Sequence, residues 1–396
     1  MFLMSLVNLA SATVPQSDWN HANVSSGNHT LVAGDFDGDG YDDLIVDSNN
    51  GVDLYQGGPA GLPAAVSRDM SELGAWWSYE PHTLDIDGDG YDDLLFTDSN
   101  ELRVVYGGPF GLVTSWTHVI SMTDQPEEVA VGDLDGDGYD DIVFSIDDPT
   151  GGRIVYWWRG TAFGPQQFPS FTWSGGQVFG TQDLAVFDAN GDGYDDVAIG
   201  GGGYSTREVK VYLGGAGGPS SQAFATLQTS QAYRYLGENL VAPGDLDGDG
   251  FEDLVSSVQD ANNSVYGFAV MRGGPAGVAA PVVTPGIDTL DPNLGVIGDT
   301  DGDGDDELLV GIPRYDSPAP GAVTDRGVVA VLKLGANNRF SLPAAGDYAM
   351  GNNASNQFGT AITSGDFDGT GLRDFVGTSP YPGGASSKID AFYDVP

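Results

Sequence analysis

The feature that most constrains the fold of this chain is a nine-residue phrase, D-x-D-G-D-G-aromatic-x-D, that occurs seven times. The copies begin at Asp35, Asp85, Asp133, Asp188, Asp245, Asp299 and Asp366. Neighbouring copies start 48 to 67 residues apart, and together they span nearly the whole chain. A unit that recurs at this length is typical of repeat architectures, in which each unit buries its apolar surface against its neighbours. The sequence therefore predicts seven similar structural units.

Short apolar segments with the length and composition of β-strands flank each copy of the phrase. In the first unit, residues 30–33 precede the phrase and residues 44–46 follow it. The dipeptide Asn50-Gly51, a strong hairpin signal, leads to a third apolar segment at 52–55, and a Gly-Gly-Pro sequence ends that segment. The remaining stretch has room for a fourth strand. The sequence of each unit therefore predicts a four-stranded antiparallel sheet. Seven such units indicate an all-β fold, a seven-bladed β-propeller.

The two ends of the chain predict how the ring closes. The last apolar segment, 389–393, corresponds to the third strand of the seventh unit, which leaves that unit without a fourth. Residues 13–20 precede the first unit and occupy the place that fourth-strand segments such as 75–79 occupy elsewhere. We therefore expect the N-terminal segment to complete the last blade, because closure removes the exposed strand edges of an open sheet. The propeller is expected to form a single domain over residues 13–396.

The first twelve residues, 1–12, are a short apolar stretch that ends in Ala10-Ser11-Ala12. Two interpretations remain open for it. It is either the remnant of a secretory signal peptide, whose A-x-A-like cleavage site it resembles, or an apolar N-terminal strand. No run of about 18 apolar residues occurs in the sequence, so no membrane-spanning helix is expected.

Each copy of the phrase has the ligand pattern of a calcium loop. Positions 1, 3, 5 and 9 offer carboxylates and position 7 offers a backbone carbonyl, which are the oxygen ligands that Ca²⁺ prefers. Glycines at positions 4 and 6 allow a short loop to fold around an ion. The predicted ligands are Asp35, Asp37, Asp39, Tyr41 and Asp43; Asp85, Asp87, Asp89, Tyr91 and Asp93; Asp133, Asp135, Asp137, Tyr139 and Asp141; Asp188, Asn190, Asp192, Tyr194 and Asp196; Asp245, Asp247, Asp249, Phe251 and Asp253; Asp299, Asp301, Asp303, Asp305 and Glu307; and Asp366, Asp368, Thr370, Leu372 and Asp374. The sequence therefore predicts up to seven calcium ions, one for each blade.

Three loops depart from the repeated pattern. Asn190 replaces a carboxylate in the fourth loop but keeps an oxygen, and Glu307 replaces the last Asp of the sixth loop with a longer carboxylate. The seventh loop has Thr370 at position 5 and Arg373 beside Asp374. We therefore expect the seventh site to bind calcium most weakly.

Two other calcium motifs are excluded by spacing. An EF-hand loop needs an acidic residue at position 12, and none of the seven copies has one there. A calcium-binding β-roll needs repeats in immediate tandem, whereas these copies are about fifty residues apart. An acidic turn that binds nothing is the remaining alternative, but it would leave four crowded carboxylates in each loop without a compensating charge.

The chain resembles the FG-GAP repeat family, also described as integrin-α-like or VCBS-type repeats. The resemblance rests on the seven loops and on short flanking motifs. These motifs are Phe179-Gly180 and Phe358-Gly359, the variants Leu236-Gly237 and Leu294-Gly295, and Gly311-Ile312-Pro313. The match covers about residues 13–393, although in the early units it rests on the loop alone. It implies a seven-bladed propeller with calcium loops between neighbouring strands, and a secreted or surface-displayed protein.

The acidic composition excludes several classes of partner. The chain has 57 Asp and Glu against 14 Lys and Arg, a formal charge of −43, and the seven loops hold 31 of its 48 Asp. Such a polyanion repels phosphate backbones and anionic lipids, so we expect neither nucleic-acid binding nor membrane insertion. With no Cys, disulfides and thiol chemistry are excluded.

The charge and the loops together predict an extracellular location. Calcium sites of the extracellular type, with dissociation constants of about 10⁻⁴ M, fill only outside the cytosol. At about 2 mM free Ca²⁺, each such site would contribute about 1.8 kcal/mol to the free energy of unfolding. We therefore expect a secreted or cell-surface protein in which calcium has a structural role.

The sequence offers no catalytic motif. A nucleophile elbow, an H-E-x-x-H zinc motif and a P-loop are all missing, and the calcium loops account for most aspartate pairs. All seven Trp lie within the first 173 residues, and they have two interpretations. They pack between blades, or they form an aromatic patch that binds a ligand. The candidate patch residues are Trp76, Trp77, Trp116, Trp157 and Trp158.

The most direct functional interpretation is a non-enzymatic, calcium-stabilised module for extracellular recognition or adhesion, with a protein or glycan partner at the cell surface. Repeat propellers commonly bind through variable loops on one face of a rigid ring. Two alternatives remain open: a secreted hydrolase or lyase that acts on polysaccharide, and a structural subunit of a surface assembly. The sequence does not predict the ligand, the binding face or the oligomeric state.

Overall fold

The computed structural model describes residue 17 and residues 19–24, 30–48, 51–73, 81–115, 117–147, 153–174, 183–201, 208–261, 266–285, 292–315, 326–335, 339–340, 348–350, 357–379 and 387–393. The segment 1–12, with its two interpretations, lies outside these residues. Within the described ranges, no helix has the length and hydropathy needed to cross a bilayer.

The described residues form seven four-stranded antiparallel sheets, as the repeat predicted, and one short hairpin. Blades 1 to 4 contain β2 (Thr30–Gly34), β3 (Asp43–Ser48), β4 (Gly51–Tyr55) and β5 (Arg68–Asp69); β6 (His82–Leu84), β7 (Asp93–Asp98), β8 (Glu101–Val105) and β9 (Thr117–Ser121); β10 (Pro126–Gly132), β11 (Asp141–Asp147), β12 (Arg153–Trp158) and β13 (Phe171–Ser174); and β14 (Leu184–Phe187), β15 (Asp196–Gly201), β16 (Glu208–Tyr212) and β17 (Ala225–Gln228).

Blades 5 to 7 continue the same order. They contain β18 (Tyr233–Gly244), β19 (Asp253–Asp260), β20 (Tyr266–Met271) and β21 (Val282–Pro285); β22 (Asn293–Gly298), β23 (Glu307–Ile312), β24 (Val328–Leu332) and β27 (Tyr348–Met350); and β28 (Ile362–Gly365), β29 (Asp374–Ser379), β30 (Ser387–Phe392) and β1 (Trp19–Val24). The hairpin of β25 (Leu334–Gly335) and β26 (Arg339–Phe340) is inserted after the third strand of blade 6. The fold is a seven-bladed β-propeller.

The N-terminal strand closes the ring, which confirms the predicted closure. β1 pairs antiparallel with β30 and forms the fourth strand of blade 7, although it spans residues 19–24 rather than 13–20. Trp19 is buried, its ring lies edge-on to Tyr55 at 5.4 Å, and its indole N–H donates to the Pro63 carbonyl at 2.8 Å. The closing strand is therefore anchored to blade 1 as well as to blade 7.

In blade 1, the fourth strand is not where the sequence suggested. β5 takes this place, because Arg68–Asp69 pairs with the third strand, whereas residues 75–79 lie outside the described ranges. Just after β5, the N–H of Met70 donates to the Val52 carbonyl, and the Met70 side chain is fully buried. The chain therefore returns to the core earlier than its apolar pattern indicated.

The core lies between blades. The second strands are buried along nearly their whole length, since both faces of each sheet are covered by neighbouring blades. One cluster, for example, joins Ile45 and Leu54 of blade 1 to Leu94, Phe96 and Val105 of blade 2. This two-sided burial explains why these strands read as continuous apolar runs rather than alternating ones.

The antiparallel order of strands defines two faces. The nine-residue loops connect the first and second strands of each blade, and the turns between the third and fourth strands lie at the same end. We call this end the loop face. The first strands begin at the opposite end, which we call the channel face.

Candidate metal sites

The carboxylate at position 1 shapes each loop. In blade 1, Asp35 Oδ1 accepts the N–H groups of Gly38 at 2.8 Å and Asp39 at 3.1 Å, and Oδ2 accepts that of Gly40 at 2.9 Å. Gly38 and Gly40 have φ values of 71° and 88°, a region that residues with a side chain rarely adopt. The same bonds recur around Asp133 and Asp188. One Asp and two Gly therefore fix the loop conformation.

The carboxylate at position 9 lies at the bottom of each site, where the second strand begins. All seven are buried, with 0 to 1% of each residue exposed. Their orientation is fixed by the backbone, because the N–H that follows the third strand donates to Oδ1, from Gly57 to Asp43 at 3.0 Å and from Gly107 to Asp93 at 2.8 Å. In five blades another oxygen of the same carboxylate accepts the N–H of loop position 2, as from Ile86 to Asp93 Oδ2 at 3.1 Å, so the carboxylate lies against the loop.

The loops bring the predicted ligands together. At least one oxygen from each of three acidic residues falls within 4.8 Å of the others in at least five loops of the described chain. These groups are Asp35, Asp37 and Asp39; Asp85, Asp87 and Asp93; Asp133, Asp135 and Asp141; Asp245, Asp247 and Asp253; and Asp299, Asp301 and Asp303. Such a set consists only of oxygen donors, which suits a hard divalent cation.

Buried carboxylate oxygens without hydrogen-bond partners provide a test of that fit. Six loops contain one such oxygen at position 3 or 9: Asp43 Oδ2, Asp87 Oδ1, Asp135 Oδ1, Asp196 Oδ2, Asp247 Oδ1 and Glu307 Oε1. The last of these has an ion-pair partner instead, since Glu307 Oε1 lies 3.5 Å from Lys333 Nζ. A buried charged oxygen without a partner is costly, and buried charges are normally paired or coordinate a metal. The residues present therefore fit a bound cation.

Burial also raises the pKa values of the position-9 carboxylates. The pKa of Asp43 and of Asp93 rises to about 8, and those of Asp141, Asp196 and Asp253 rise to about 7. Loss of solvation is the largest cause, and the charges of the other loop carboxylates add to it, against backbone hydrogen bonds that lower the values. Without a cation, Asp43 and Asp93 are therefore mostly protonated at pH 7, and the other three carboxylates are partly protonated.

The acidic residue at position 8 was not singled out from the sequence, and it connects neighbouring blades. Asp92 Oδ2 accepts the N–H of Asp35 in the preceding loop at 2.8 Å, and the N–H of Asp92 donates to the Asp35 carbonyl at 3.2 Å. We call this reciprocal pair the blade latch. Equivalent latches join Asp140 to Asp85, Asp195 to Asp133, Glu252 to Asp188, Asp306 to Asp245 and Asp42 to Asp366.

The seventh loop lacks an acceptor for its latch, because Arg373 stands at position 8. Its guanidinium Nη1 instead lies 3.0 Å from Asp42 Oδ2, at the junction of blades 7 and 1. The junction of blades 6 and 7 therefore cannot form the latch that joins the other neighbours.

The aromatic residue at position 7 also contacts the preceding loop. A Cβ on Gly38 would lie 2.5 Å from the Tyr91 ring, so only glycine leaves room for that ring. Four further pairs show the same close approach: Gly88 with Tyr139, Gly136 with Tyr194, Gly191 with Phe251, and Gly369 with Tyr41. Positions 7 and 8 of the phrase thus serve the contact between blades. The signal was present in the sequence, since position 7 is aromatic in five copies and position 8 acidic in six.

The prediction of an exposed tryptophan patch is wrong for Trp157 and Trp158, the two of its residues that the structure describes. Trp157 and Trp158 are only 5% and 7% exposed. The indole N–H of Trp157 donates to Asp141 Oδ2 at 2.8 Å, and the Trp158 ring stacks on Phe144 at 5.6 Å. Both side chains therefore pack in the core. Trp76, Trp77 and Trp116 lie outside the described residues.

Phenylalanines, rather than tryptophans, are exposed in this sector. Phe110 is 95% exposed and Phe163 is 87% exposed. They occupy equivalent positions in the turns after the third strands of blades 2 and 3, which are neighbours in the ring. The turns at the loop face also expose Phe168 by 71% and Phe224 by 50%. We call the two most exposed rings, Phe110 and Phe163, the phenylalanine pair.

A cavity of about 280 Å³ opens at the channel face. Its polar lining comes from the starts of the first strands of five blades: His82, Glu127, Glu128, Asp183, Asn239 and Asn293. Burial lowers the pKa of His82 to about 4, so the imidazole is neutral at physiological pH. Glu127 and Glu128 both lie beside Arg153, at 3.1 and 3.7 Å.

Comparison with known proteins agrees with the repeat and the ring. The model of the FG-GAP-like repeat matches residues 85–144 and 188–256. The chain therefore contains FG-GAP-like repeats within blades 2 to 5 of its propeller. Integrin alpha-PS2 of Drosophila melanogaster is 31% identical over 170 residues, which is 42% of this chain and 12% of that protein. The chain spans only a small part of the length of this relative.

Two solved structures share the fold of this chain at low sequence identity. One, BBS1N in complex with ARL6DN, covers 97% of this chain and 98% of its own, with a TM-score of 0.56 and 11% identity. The other, an Agrocybe aegerita lectin that recognises non-reducing terminal N-acetylglucosamine, covers 83% of this chain and 86% of its own, with a TM-score of 0.51 and 15% identity. At these identities the likeness concerns the fold alone.

Proposed function

We propose that the seven loops bind calcium and that the ions stabilise the propeller. The observation that carries this proposal is the set of buried loop oxygens without hydrogen-bond partners, one in each of six loops. A bound cation would neutralise the carboxylates at positions 1, 3, 5 and 9, and the backbone carbonyl at position 7 would add a further oxygen. The integrin relative supports a divalent cation, and the extracellular location follows from the weak affinity expected of such sites.

Calcium binding to the full chain can be measured directly. Isothermal titration calorimetry of chelator-treated protein with CaCl₂ should show several calcium ions bound for each chain, whereas Mg²⁺ should bind more weakly, because it requires a smaller and more regular octahedron. Asp43→Asn with Asp93→Asn should reduce the stoichiometry by about two. A chain that binds no calcium would contradict the proposal.

We further propose that the propeller is a recognition module for a protein or glycan partner outside the cell. The named relatives support both classes, since they include an integrin α chain, a propeller in complex with a protein and a lectin that recognises a sugar. The phenylalanine pair is the best docking position among the described residues. Exposed aromatic rings can pack against sugar rings or apolar side chains, and these two are the most exposed large apolar side chains among the described residues.

A glycan array, run with and without calcium, tests this function. We expect calcium-dependent binding that is lost in Phe110→Ser with Phe163→Ser. Val119→Ser with Val282→Ser is a matched control, because these two residues are also exposed apolar side chains but lie on outer strands. Equal binding by both double variants would contradict docking on the phenylalanine pair.

The channel-face cavity favours a second candidate, a secreted polysaccharide hydrolase or lyase. It places a neutral His82 beside Glu127, Glu128 and Asp183, the residue types that transfer protons in such reactions. Incubation with a panel of polysaccharides should then release new chain ends, and His82→Gln should abolish the release. Wild-type protein that depolymerises none of them would contradict this candidate.

A further inference from the structure

The residue that directly follows the third strand of each blade lies beside the loop of the same blade. Strand register identifies it, because the last residue of the third strand always pairs with the residue after loop position 9, as Tyr55 pairs with Leu44. We call it the neighbour position. Its occupants in blades 1 to 7 are Gln56, Tyr106, Arg159, Leu213, Arg272, Lys333 and Tyr393.

In blade 3 the neighbour position places a cation inside the loop. Arg159 Nε lies 2.6 Å from Asp135 Oδ2, and Nη2 donates to Asp137 Oδ2 at 2.7 Å. These are the carboxylates at positions 3 and 5, both of which are predicted ligands. The Asp135 side chain is only 2% exposed, so the guanidinium pairs with a buried charge rather than with a surface one.

Blades 5 and 6 repeat this arrangement with different side chains. Arg272 contacts Asp247 at position 3, and Lys333 contacts Asp301 at position 3 and lies 2.6 Å from Asp303 Oδ2 at position 5. In blade 1 the equivalent residue is neutral, and the Gln56 amide donates to Asp37 Oδ2 at 2.9 Å. The occupants in blades 2 and 4 carry no charge.

Chance does not account well for three cations at this position. Only 14 of the 396 residues are Lys or Arg, about one in 28, so seven positions would hold fewer than one on average. All three also contact the same carboxylate, that of position 3, in their own loop.

We propose that the loops form two classes. In blades 3, 5 and 6, the side chain at the neighbour position is a built-in cation that competes with calcium, so these loops bind the ion more weakly and keep their conformation without it. The loops of blades 1, 2 and 4 have no such cation and depend on calcium. The inference rests on the proposed calcium binding, because calcium must displace the built-in cation from the position-3 and position-5 carboxylates before it can use them.

Titration calorimetry of three full-length proteins tests the two classes. The loop variant carries Arg159→Gln, Arg272→Gln and Lys333→Gln. The control carries Arg103→Gln, Arg153→Gln and Lys210→Gln, which removes the same number of charges from ion pairs outside the loops. We expect wild type and control to bind calcium in two steps, and the loop variant to bind at the weaker sites about tenfold or more tightly.

The outcomes separate this inference from the proposed function. If the loop variant and the control bind calcium identically, the two classes do not exist, although calcium binding itself stands. If wild type and control bind no calcium, the proposed function fails, and the inference fails with it. A gain in affinity shared equally by both variants would indicate a general charge effect and would also overturn the inference.

Hydrogen exchange of the wild-type chain provides a test that does not depend on any variant folding. After calcium is removed with EGTA, amides in the loops of blades 1, 2 and 4 should exchange faster, whereas those in blades 3, 5 and 6 should remain protected. Gln56→Lys, which places a cation at the neighbour position of blade 1 beside the position-3 carboxylate of Asp37, should restore protection to that loop alone. Uniform deprotection of all six loops would overturn the proposal.

Discussion

At the scale of single residues, the loop carboxylates have three different tasks. Position 1 folds the loop through backbone N–H groups, position 9 presents a buried oxygen to the interior, and position 8 forms the latch to the preceding blade. Only the first two tasks follow from ligand spacing. The third requires knowing which loops are neighbours in space, and a single repeat unit does not contain that information.

Loss of a latch carboxylate should destabilise the ring without removing a calcium ligand. Asp92→Ala leaves the Asp35 N–H without its acceptor, so we expect a loss of about 1 to 3 kcal/mol in the free energy of unfolding. Urea denaturation in saturating calcium measures it. Asp124→Ala, an exposed aspartate in a turn, is the control and should change the stability by less than about 0.5 kcal/mol.

The raised pKa values predict an opposite pH dependence with and without calcium. The pKa of Asp43 rises from 3.8 to about 8 in the folded chain, and that of Asp141 to about 7. The folded, calcium-free protein therefore binds more protons than the unfolded chain between about pH 4 and 8. This contribution to stability is fully present below the unfolded pKa and is lost as the pH rises through the folded pKa.

Melting temperature should reveal this reversal. In EGTA, the melting temperature should fall as the pH rises from 5 to 8. In saturating calcium, it should rise over the same range, because protons compete with the ion for the same oxygens. Parallel curves in the two conditions would contradict the assignment of these carboxylates to a cation site.

At the scale of elements, the loops of neighbouring blades pack against each other. The glycine at position 4 is required twice, once for its positive φ and once because the Tyr91 ring of the next loop lies over it. The glycine at position 6 is required only for its φ of 88°, since a Cβ on Gly40 would meet nothing within 4 Å. This difference makes the two glycines a matched pair.

Gly38→Ala should therefore destabilise the chain more than Gly40→Ala. We expect about 1 to 2 kcal/mol for the backbone strain at Gly40, and a further cost at Gly38 from displacing the Tyr91 ring. Thermal melts of both variants in calcium measure the difference. Equal losses would show that the ring contact between loops contributes nothing to stability.

The closing strand is the element on which the ring depends. Deleting residues 1–24 removes β1 and leaves β30 with an unpaired edge, so we expect the melting temperature to fall by about 10 °C or more, as a loss of several kcal/mol would require. Deleting residues 1–12, which stops short of β1, is the control. A melting temperature unchanged by the longer deletion would contradict closure through this strand.

At the scale of the whole molecule, much of the architecture could be predicted from the repeat. Seven copies fixed the number of blades, and the unpaired third strand of the last unit identified the closing strand. The positions and packing of the outer strands were predicted less well from the sequence. β5 is only two residues long, and Trp157 and Trp158 are buried by a neighbouring blade, so neither follows from local pattern. The exposure of Phe110 and Phe163 depends on where their turns lie in the assembled ring, which the sequence of one repeat does not show.

Removal of calcium should weaken the whole ring, because each loop lies at a blade junction. We expect EDTA to lower the melting temperature by tens of degrees, since an ion that binds only the folded state stabilises it by RT ln(1 + [Ca²⁺]/Kd) at each site. Differential scanning calorimetry with and without chelator measures the change. A melt insensitive to the chelator would contradict a structural role for the ions.

The missing latch between blades 6 and 7 gives the ring a preferred place to open. At six junctions a carboxylate accepts a backbone N–H of the preceding loop, whereas Arg373 interrupts that series at one junction. Blades 6 and 7 are still joined by side-chain hydrogen bonds, from Asn293 to the Gly359 and Thr360 carbonyls and from Ser364 to the Val296 carbonyl. Because the latch is missing there, we expect the earliest unfolding step on heating to separate these two blades rather than to release the N-terminal strand. A single basic residue, Arg373 at position 8 of the seventh loop, therefore determines which junction we expect to open first.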